Sequence, residues 1–271
     1  MNTAFPFAAA YVLTQGVDLN LVVGTLYFLI PYNLAMYGIN DVFDYESDLL
    51  NPRKGGAEGA VLDRSMHRTA LVAAGLLNAP FLGYLFAVGS PLSWVVLALS
   101  TFAVIAYSAK GVRFKEKPVL DSLTSSTHFV SPAVYGLVLA GADFTPQLVA
   151  LLGAFFLWGA ASHAFGAVQD VLADRAAGIR SIATKFGARA TVRIAVVAYL
   201  LAGGLLLLTS WPGPLATVLA LPYAISCAPY WRIVDAEAES ANRGWRRFLY
   251  LNFVTGFLVT LLLIWWAVLS R

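Results

Sequence analysis

Long apolar runs separated by short polar joints limit this chain more than any other feature. They fall at about 3–17, 20–40, 67–88, 92–108, 119–140, 146–168, 190–210, 213–231 and 247–269. A helix needs about 20 apolar residues to cross the hydrocarbon core of a bilayer. The chain is 59% hydrophobic and only 12% charged, against about a quarter charged in a soluble domain. One soluble domain of this length cannot hide that much apolar surface. The expectation is an all-α, polytopic membrane helical bundle of nine transmembrane helices, with residues 1–271 as one domain. No basic segment precedes the first run, so no signal peptide is expected. The single cysteine, Cys227, rules out an intramolecular disulfide and a cysteine metal cluster, and its apolar surroundings make it a core residue.

The charges alternate with the runs. Arg53, Lys54, Arg64 and Arg68 lie between the second and third, and Lys110, Arg113, Lys115 and Lys117 between the fourth and fifth. Arg175, Arg180, Lys185, Arg189 and Arg193 follow the sixth, and Arg232, Arg243, Arg246 and Arg247 the eighth. Only Arg271, at the end of the chain, falls outside these four groups. The remaining joints are short and hold Asp18 and Asp143. Lys and Arg mark the cytoplasmic side. The chain is therefore expected in the cell membrane with its N-terminus and long polar loops cytoplasmic and its C-terminus outside. Topology explains most of the basic residues but not the acids.

The acids form two sets. Asn40, Asp41, Asp44 and Asp48 end the second run and fall within about 100° of one helical face. Asp170 and Asp174 follow the sixth run one turn apart, and Gly178 continues that period. Carboxylates sharing a face repel each other, and the C-terminal end of a helix dipole adds to the strain. Pairing with nearby Arg and Lys, or solvation, is one compensation. A divalent metal is the other. Mg²⁺ takes hard oxygen ligands from few protein carboxylates and fills its remaining positions with substrate phosphate. Two such sets facing each other would hold one or two Mg²⁺ against a diphosphate, with basic loop residues on the free phosphate oxygens. No GxxxxGK[ST] loop is present, so a nucleoside triphosphate is not expected.

These residues resemble the UbiA superfamily of intramembrane prenyltransferases. Its first motif, NDxxDxxxD, matches Asn40, Asp41, Asp44 and Asp48. Its second, DxxxDxxxG followed by a small hydroxyl residue and Thr, matches Asp170, Asp174, Gly178, Ser181 and Thr184. The stretches NDVFDYESDLLNPRKGGAEGAVL and YSAKGVRFKEKPVLDS are also similar to the lycopene elongase branch, which makes C50 carotenoids. One departure stands out. The family commonly carries an Arg near the start of its first helix, whereas no basic residue precedes Arg53 here. That leaves the role to another basic residue or to a chain that begins upstream.

The resemblance implies a central cavity opening to the cytoplasmic side and Mg²⁺-dependent transfer of a prenyl group from an allylic diphosphate, dimethylallyl diphosphate, to lycopene or a similar lipophilic acceptor. Asn40, Asp44 and Asp48 would ligate one metal, and Asp170 and Asp174 the other. Lys54, Arg113 and Lys115 are the first candidates for the diphosphate, with Arg53, Lys110 and Lys185 in reserve. The allylic cation needs a dry pocket, and aromatic faces stabilise a cation without reacting with it. Tyr37, Phe43, Tyr107, Phe165 and Phe186 are candidate lining residues, although membrane aromatics also serve as packing and interface belts. An ionisable residue within a span is a functional candidate. His163 lies seven residues before Asp170 on the same helical face and His128 lies within another span. Asp121 is a candidate for the same cavity, His67 is read as a loop residue, and Glu58 is a candidate base for a final proton loss. Membrane lipid is an expected partner and nucleic acid is not. The alternatives are a relative prenylating an aromatic or quinone precursor, a membrane cation transporter, and a scaffold for anionic lipid. The acids sit at helix ends rather than mid-membrane, which disfavours transport.

Overall fold

The computed structural model describes residues 3–49 and 61–269. Among these residues every regular element is a helix. The chain separates into two compact units, one of residues 1–114 with 127–142 and one of residues 115–126 with 143–271.

The first unit holds α1 (Ala4–Thr14), α2 (Leu19–Leu29), α3 (Pro31–Leu49), α4 (His67–Val88), α5 (Pro91–Ser108) and most of α6 (Leu120–Leu139). Asp18 starts α2. Its carboxylate accepts from the Leu21 amide at 2.9 Å and the Tyr11 hydroxyl at 2.7 Å. The Tyr11 hydrogen bond, then the Leu21 one, hold that carboxyl below its ordinary range. Pro31 separates α2 from α3, because proline lacks an amide hydrogen and disfavours helical geometry in the residue before it. The Pro31 carbonyl accepts from Asn78 Nδ2 at 2.7 Å, so that polar group in an apolar bundle is satisfied. Phe7, Tyr11, Tyr27, Phe28, Tyr32 and Tyr135 form an aromatic core. Gly24 lets α1 meet α2 closely, since a Cβ there would lie 2.1 Å from Phe7 Cζ.

The second unit holds the start of α6, α7 (Pro146–Val168), α8 (Val171–Ala176), α9 (Ile182–Phe186), α10 (Ala188–Leu206), α11 (Ala220–Cys227) and α12 (Asn242–Leu269). Its core packs Phe165, Val192, Tyr199, Tyr223, Cys227 and Phe248. Tyr199 and Tyr223 stack at 5.4 Å. The Ser162 and Tyr199 hydroxyls bond at 3.0 Å, and the Tyr223 hydroxyl donates to Asn252 Oδ1 at 2.9 Å.

All nine apolar runs are helical, and six helical stretches among the described residues are long and apolar enough to cross a membrane, α2 and α3 counting together as one over Leu19–Glu46. The other three fall short for different physical reasons. α1 has 11 residues, about 16 Å of helix against a core of about 30 Å. α6 is long enough but carries Asp121, Ser122, Thr124, Ser126, His128 and Ser131 as buried polar groups. The 213–231 run is broken into the 3₁₀ turn Gly213–Leu219, α11 and the 3₁₀ turn Ala228–Tyr230. Length and composition thus support six crossings where the runs alone suggest nine.

Candidate active site

In the first unit the helix runs unbroken through the first acidic set. Asn40, Asp41, Asp44 and Asp48 all lie on α3, on one face of about 100°. No Lys or Arg occupies the last turn of α3, so its own sequence does nothing to offset the negative end of its dipole. Ser108 Oγ, at the end of α5, donates to Asn40 Oδ1 at 2.8 Å. Arg113 reaches the same face. Its Nη1 donates to the Phe43 carbonyl at 3.2 Å and its Nη2 lies 3.7 Å from Asp44 Oδ1. The chain presents this arginine through a sharp turn, with Gly111 at φ 89° and Arg113 at φ 39°. A non-glycine residue in the left-handed region persists only where its surroundings hold it. The two contacts to α3 supply that hold.

Tyr107 meets His128 edge to face at 5.2 Å. Phe43 is half-buried, and Tyr37 is 55% exposed. His67 is the first residue of α4, not a loop residue. It contacts the Tyr45 ring at 5.0 Å, while Arg64 pairs with Glu46 and stacks on Tyr45. Lys110 is exposed. Arg53, Lys54 and Glu58 lie outside the described residues.

In the second unit α7 ends at Val168, and Gln169–Asp170 forms a turn before α8. The expected helical register from His163 to Asp170 is therefore interrupted. Asp170 and Asp174 do stand one turn apart, the Asp174 amide donating to the Asp170 carbonyl at 2.8 Å. Gly178 does not continue that period. It takes a left-handed conformation, φ 70°, and stops α8. The Ile179 amide donates to the Asp174 carbonyl at 2.8 Å and the Gly178 amide to the Arg175 carbonyl at 3.2 Å. This pair of bonds closes a helix on a left-handed residue, a role suited to glycine. Ser181 and Thr184 then form a reciprocal capping box that starts α9. Gly, Ser and Thr of the second motif thus set the backbone where α8 ends and α9 starts.

Asp121 has a different place from the one expected. It is fully buried, 0% exposed. Its Oδ2 accepts from the Ile182 amide at 2.7 Å and its Oδ1 from the Ser122 amide at 2.8 Å. Ser122 Oγ in turn lies 3.1 Å from His163 Nδ1. The carboxylate anchors the first residue of α9 rather than facing a cavity. Phe165, another expected lining residue, is 1% exposed and packs in the core against Tyr230. Lys115 lies in the 3₁₀ turn Phe114–Glu116. The Lys185 ammonium lies over the exposed Phe186 ring at 5.6 Å.

Sequence reasoning missed one group. Arg175 Nη1 pairs with Asp235 Oδ2 at 2.6 Å, and its Nη2 donates to the Thr184 carbonyl at 3.1 Å. Asp235 Oδ1 accepts from the Ala188 amide at 2.7 Å. This clamp ties the residue after Asp174 to the ends of α9 and α10. Asp235 lies 60 residues from Arg175, and no local signal links them.

Among the described residues no three His, Cys, Asp or Glu side chains converge to cage a metal by themselves. The donor chemistry on α3 nevertheless suits Mg²⁺, with one amide and two carboxylate oxygens at four-residue intervals. That ion takes few protein ligands and keeps positions for water and phosphate.

The sequence matches the UbiA prenyltransferase family over residues 3–254. It is 58% identical over 267 residues to the C(50) beta-cyclic carotenoids biosynthesis protein LbtBC of Dietzia sp. (strain CQ4), covering 98% of this chain and 62% of that protein. It is 52% identical over 267 residues to the lycopene elongase/hydratase of Corynebacterium glutamicum, covering 97% of this chain and 92% of that one. The fold is shared with a UbiA homolog from Archaeoglobus fulgidus bound to DMAPP and Mg²⁺, at a TM-score of 0.70, 20% identity and 94% of each chain. It is also shared with a UbiA homolog from Aeropyrum pernix K1, at a TM-score of 0.69, 17% identity and 96% of each chain.

Proposed function

This chain belongs to the UbiA prenyltransferase family, and we propose that it transfers a dimethylallyl group from dimethylallyl diphosphate to lycopene in a Mg²⁺-dependent reaction. The acceptor rests on the 52% identity to a lycopene elongase/hydratase across nearly the whole of both chains. The chemistry rests on one structural observation, the oxygen-donor face of α3 with Arg113 against it.

Asn40, Asp44 and Asp48 would hold one Mg²⁺, and Asp170 and Asp174 are the candidate ligands for a second. Bound there, the ion would supply positive charge to offset the negative charge of the diphosphate leaving group. Arg113 orients that group from the α3 side, and Lys54, Lys115, Arg53, Lys110 and Lys185 are the remaining basic candidates. The allylic C–O bond breaks with its electron pair leaving on the diphosphate, a terminal alkene of the acceptor attacks the allylic carbon, and the new tertiary cation then loses a proton or takes up water. Tyr107 and Phe43 offer π faces there, and the surrounding apolar helices exclude the water that would quench the cation. Ser108 keeps the Asn40 carbonyl oriented, and the Arg175–Asp235 clamp holds α8 so that Asp174 keeps its direction. We place the protein in the cell membrane with its basic loops on the cytoplasmic side.

Product analysis tests this reading. Purified protein in lipid, given Mg²⁺, dimethylallyl diphosphate and lycopene, is expected to form C45 and C50 products. Chelation of the metal, Asp44→Ala and Asp174→Ala are each expected to abolish them. Prenylation of a quinone or phenol precursor without any carotenoid product would overturn the acceptor. No transfer and no diphosphate release would overturn the reaction.

A further inference from the structure

Three arginines in the second unit stand apart from the others. Arg175 pairs with Asp235, Arg193 stacks on Trp231 at 5.2 Å, and Arg189 donates to the Arg232 carbonyl. Arg232, Arg243 and Arg247 instead line a cavity of about 480 Å³ together with Tyr230, Glu237 and Ser240. Among the described residues no carboxylate lies within ion-pair distance of these three side chains. Three guanidinium groups against one Glu237 leave the cavity with two excess positive charges. Arg243 and Arg247 are also one turn apart on α12, a like-charge spacing that destabilises a helix unless an anion sits between them. A cavity of this size accommodates a small polar ligand, and guanidinium groups recognise phosphate oxygens.

The same helix identifies what carries the phosphate. Below Arg247 the face that bears both arginines continues as Tyr250, Val254, Phe257 and Leu261, all within about 100° of arc. These four side chains are 71%, 57%, 64% and 45% exposed. Two arginines of the basic cavity therefore share one face of α12 with an uncovered apolar stripe. We infer that this cavity binds the phosphate headgroup of an anionic phospholipid whose acyl chain lies along the exposed face of α12. A free phosphate would use the arginines and leave the stripe unused. A zwitterionic lipid would cover the stripe and leave the charge unmatched.

The test is native mass spectrometry of the full chain released from phosphatidylcholine nanodiscs doped with phosphatidylglycerol. The wild type is expected to retain phosphatidylglycerol selectively. Each arginine near an anionic headgroup contributes about fivefold in affinity, so Arg243→Gln with Arg247→Gln is expected to reduce retention about thirtyfold. Arg246→Gln removes one positive charge of the same helix outside the cavity and is expected to keep the selectivity. Glu237→Gln removes the opposing carboxylate and is expected to raise retention, so the reasoning can be tested even if the double variant fails to fold. Equal retention of both lipids overturns the proposal. So does an equal loss in Arg246→Gln, or displacement of the lipid by millimolar inorganic phosphate.

Discussion

Replacing Asp121 with Asn keeps the shape of the side chain and removes its charge. One carboxylate oxygen accepts from Ser122 N and the other from Ile182 N, at 2.8 and 2.7 Å, in a fully buried position. An amide has one oxygen, so one of these backbone N–H groups must face an NH₂. A hydrogen bond to a charged group contributes about 1.5–3 kcal/mol, and a stranded buried donor costs a similar amount. The neutral amide no longer bears the desolvation of a buried charge, which offsets part of this. The net loss is about 2 kcal/mol, and it falls where α9 is anchored. At about 1.4 kcal/mol per tenfold, amides in segment 180–186 should exchange roughly thirtyfold faster by hydrogen–deuterium exchange mass spectrometry. Prenyl transfer should fall with it. Ser122→Ala is the control: it removes the hydroxyl beside His163 but leaves the Ser122 amide in place, so segment 180–186 should keep its protection. Unchanged exchange in Asp121→Asn would refute the anchor. Equal acceleration in Ser122→Ala would shift the effect to His163.

Arg113→Gln removes the guanidinium beside Asp44 and the donor to the Phe43 carbonyl. It is expected to lower kcat/KM about 10- to 100-fold, the equivalent of one charge-assisted hydrogen bond. Kinetics with varied diphosphate check this, and an unchanged KM and kcat would remove Arg113 from the site. Gly178→Ala meets no neighbouring atom within 4 Å, so its cost is the left-handed backbone alone, about 1–2 kcal/mol. Thermal unfolding in detergent should show the loss, and Gly178→Asn should show less. Gly24→Ala drives a methyl to 2.1 Å from Phe7 and should cost about 1–3 kcal/mol by overpacking. Phe7→Leu in the same chain should recover part of that stability, a coupling measurable in a double-mutant cycle.

The sequence carried the acids and the helices well because both signals are local. Four-residue spacing on α3 follows from helical geometry, and apolar runs of membrane length leave few alternatives. It failed where the deciding partner is distant or where periodicity misleads. Asp121 looks like a cavity acid because ionisable residues are rare in apolar helices, yet its partner amide at Ile182 is 61 residues away. Gly178 falls on the acidic period by number, but a glycine at that point stops a helix as readily as it continues one. The turn at Gln169–Asp170 breaks the register from His163. Phe165 shows the ambiguity of membrane aromatics, since an aromatic near a motif packs a core as readily as it lines a pocket. The 213–231 run reads as a span by composition, but it holds Pro214, Pro222 and Pro229, each lacking the backbone N–H a continuous helix needs, and it folds as short helical pieces.

The backbone after the second acidic pair has a fixed length. Ile179 is bonded back to Asp174, and Ile182 is bonded to Asp121. Between these two pinned amides the chain has room for Arg180 and Ser181 and nothing more. Ordinary surface loops absorb insertions and resist little. This one should behave in the opposite way, accepting many side chains at Arg180 while rejecting a single added or deleted residue. An extra residue would have to break either the glycine stop or the buried carboxylate anchor.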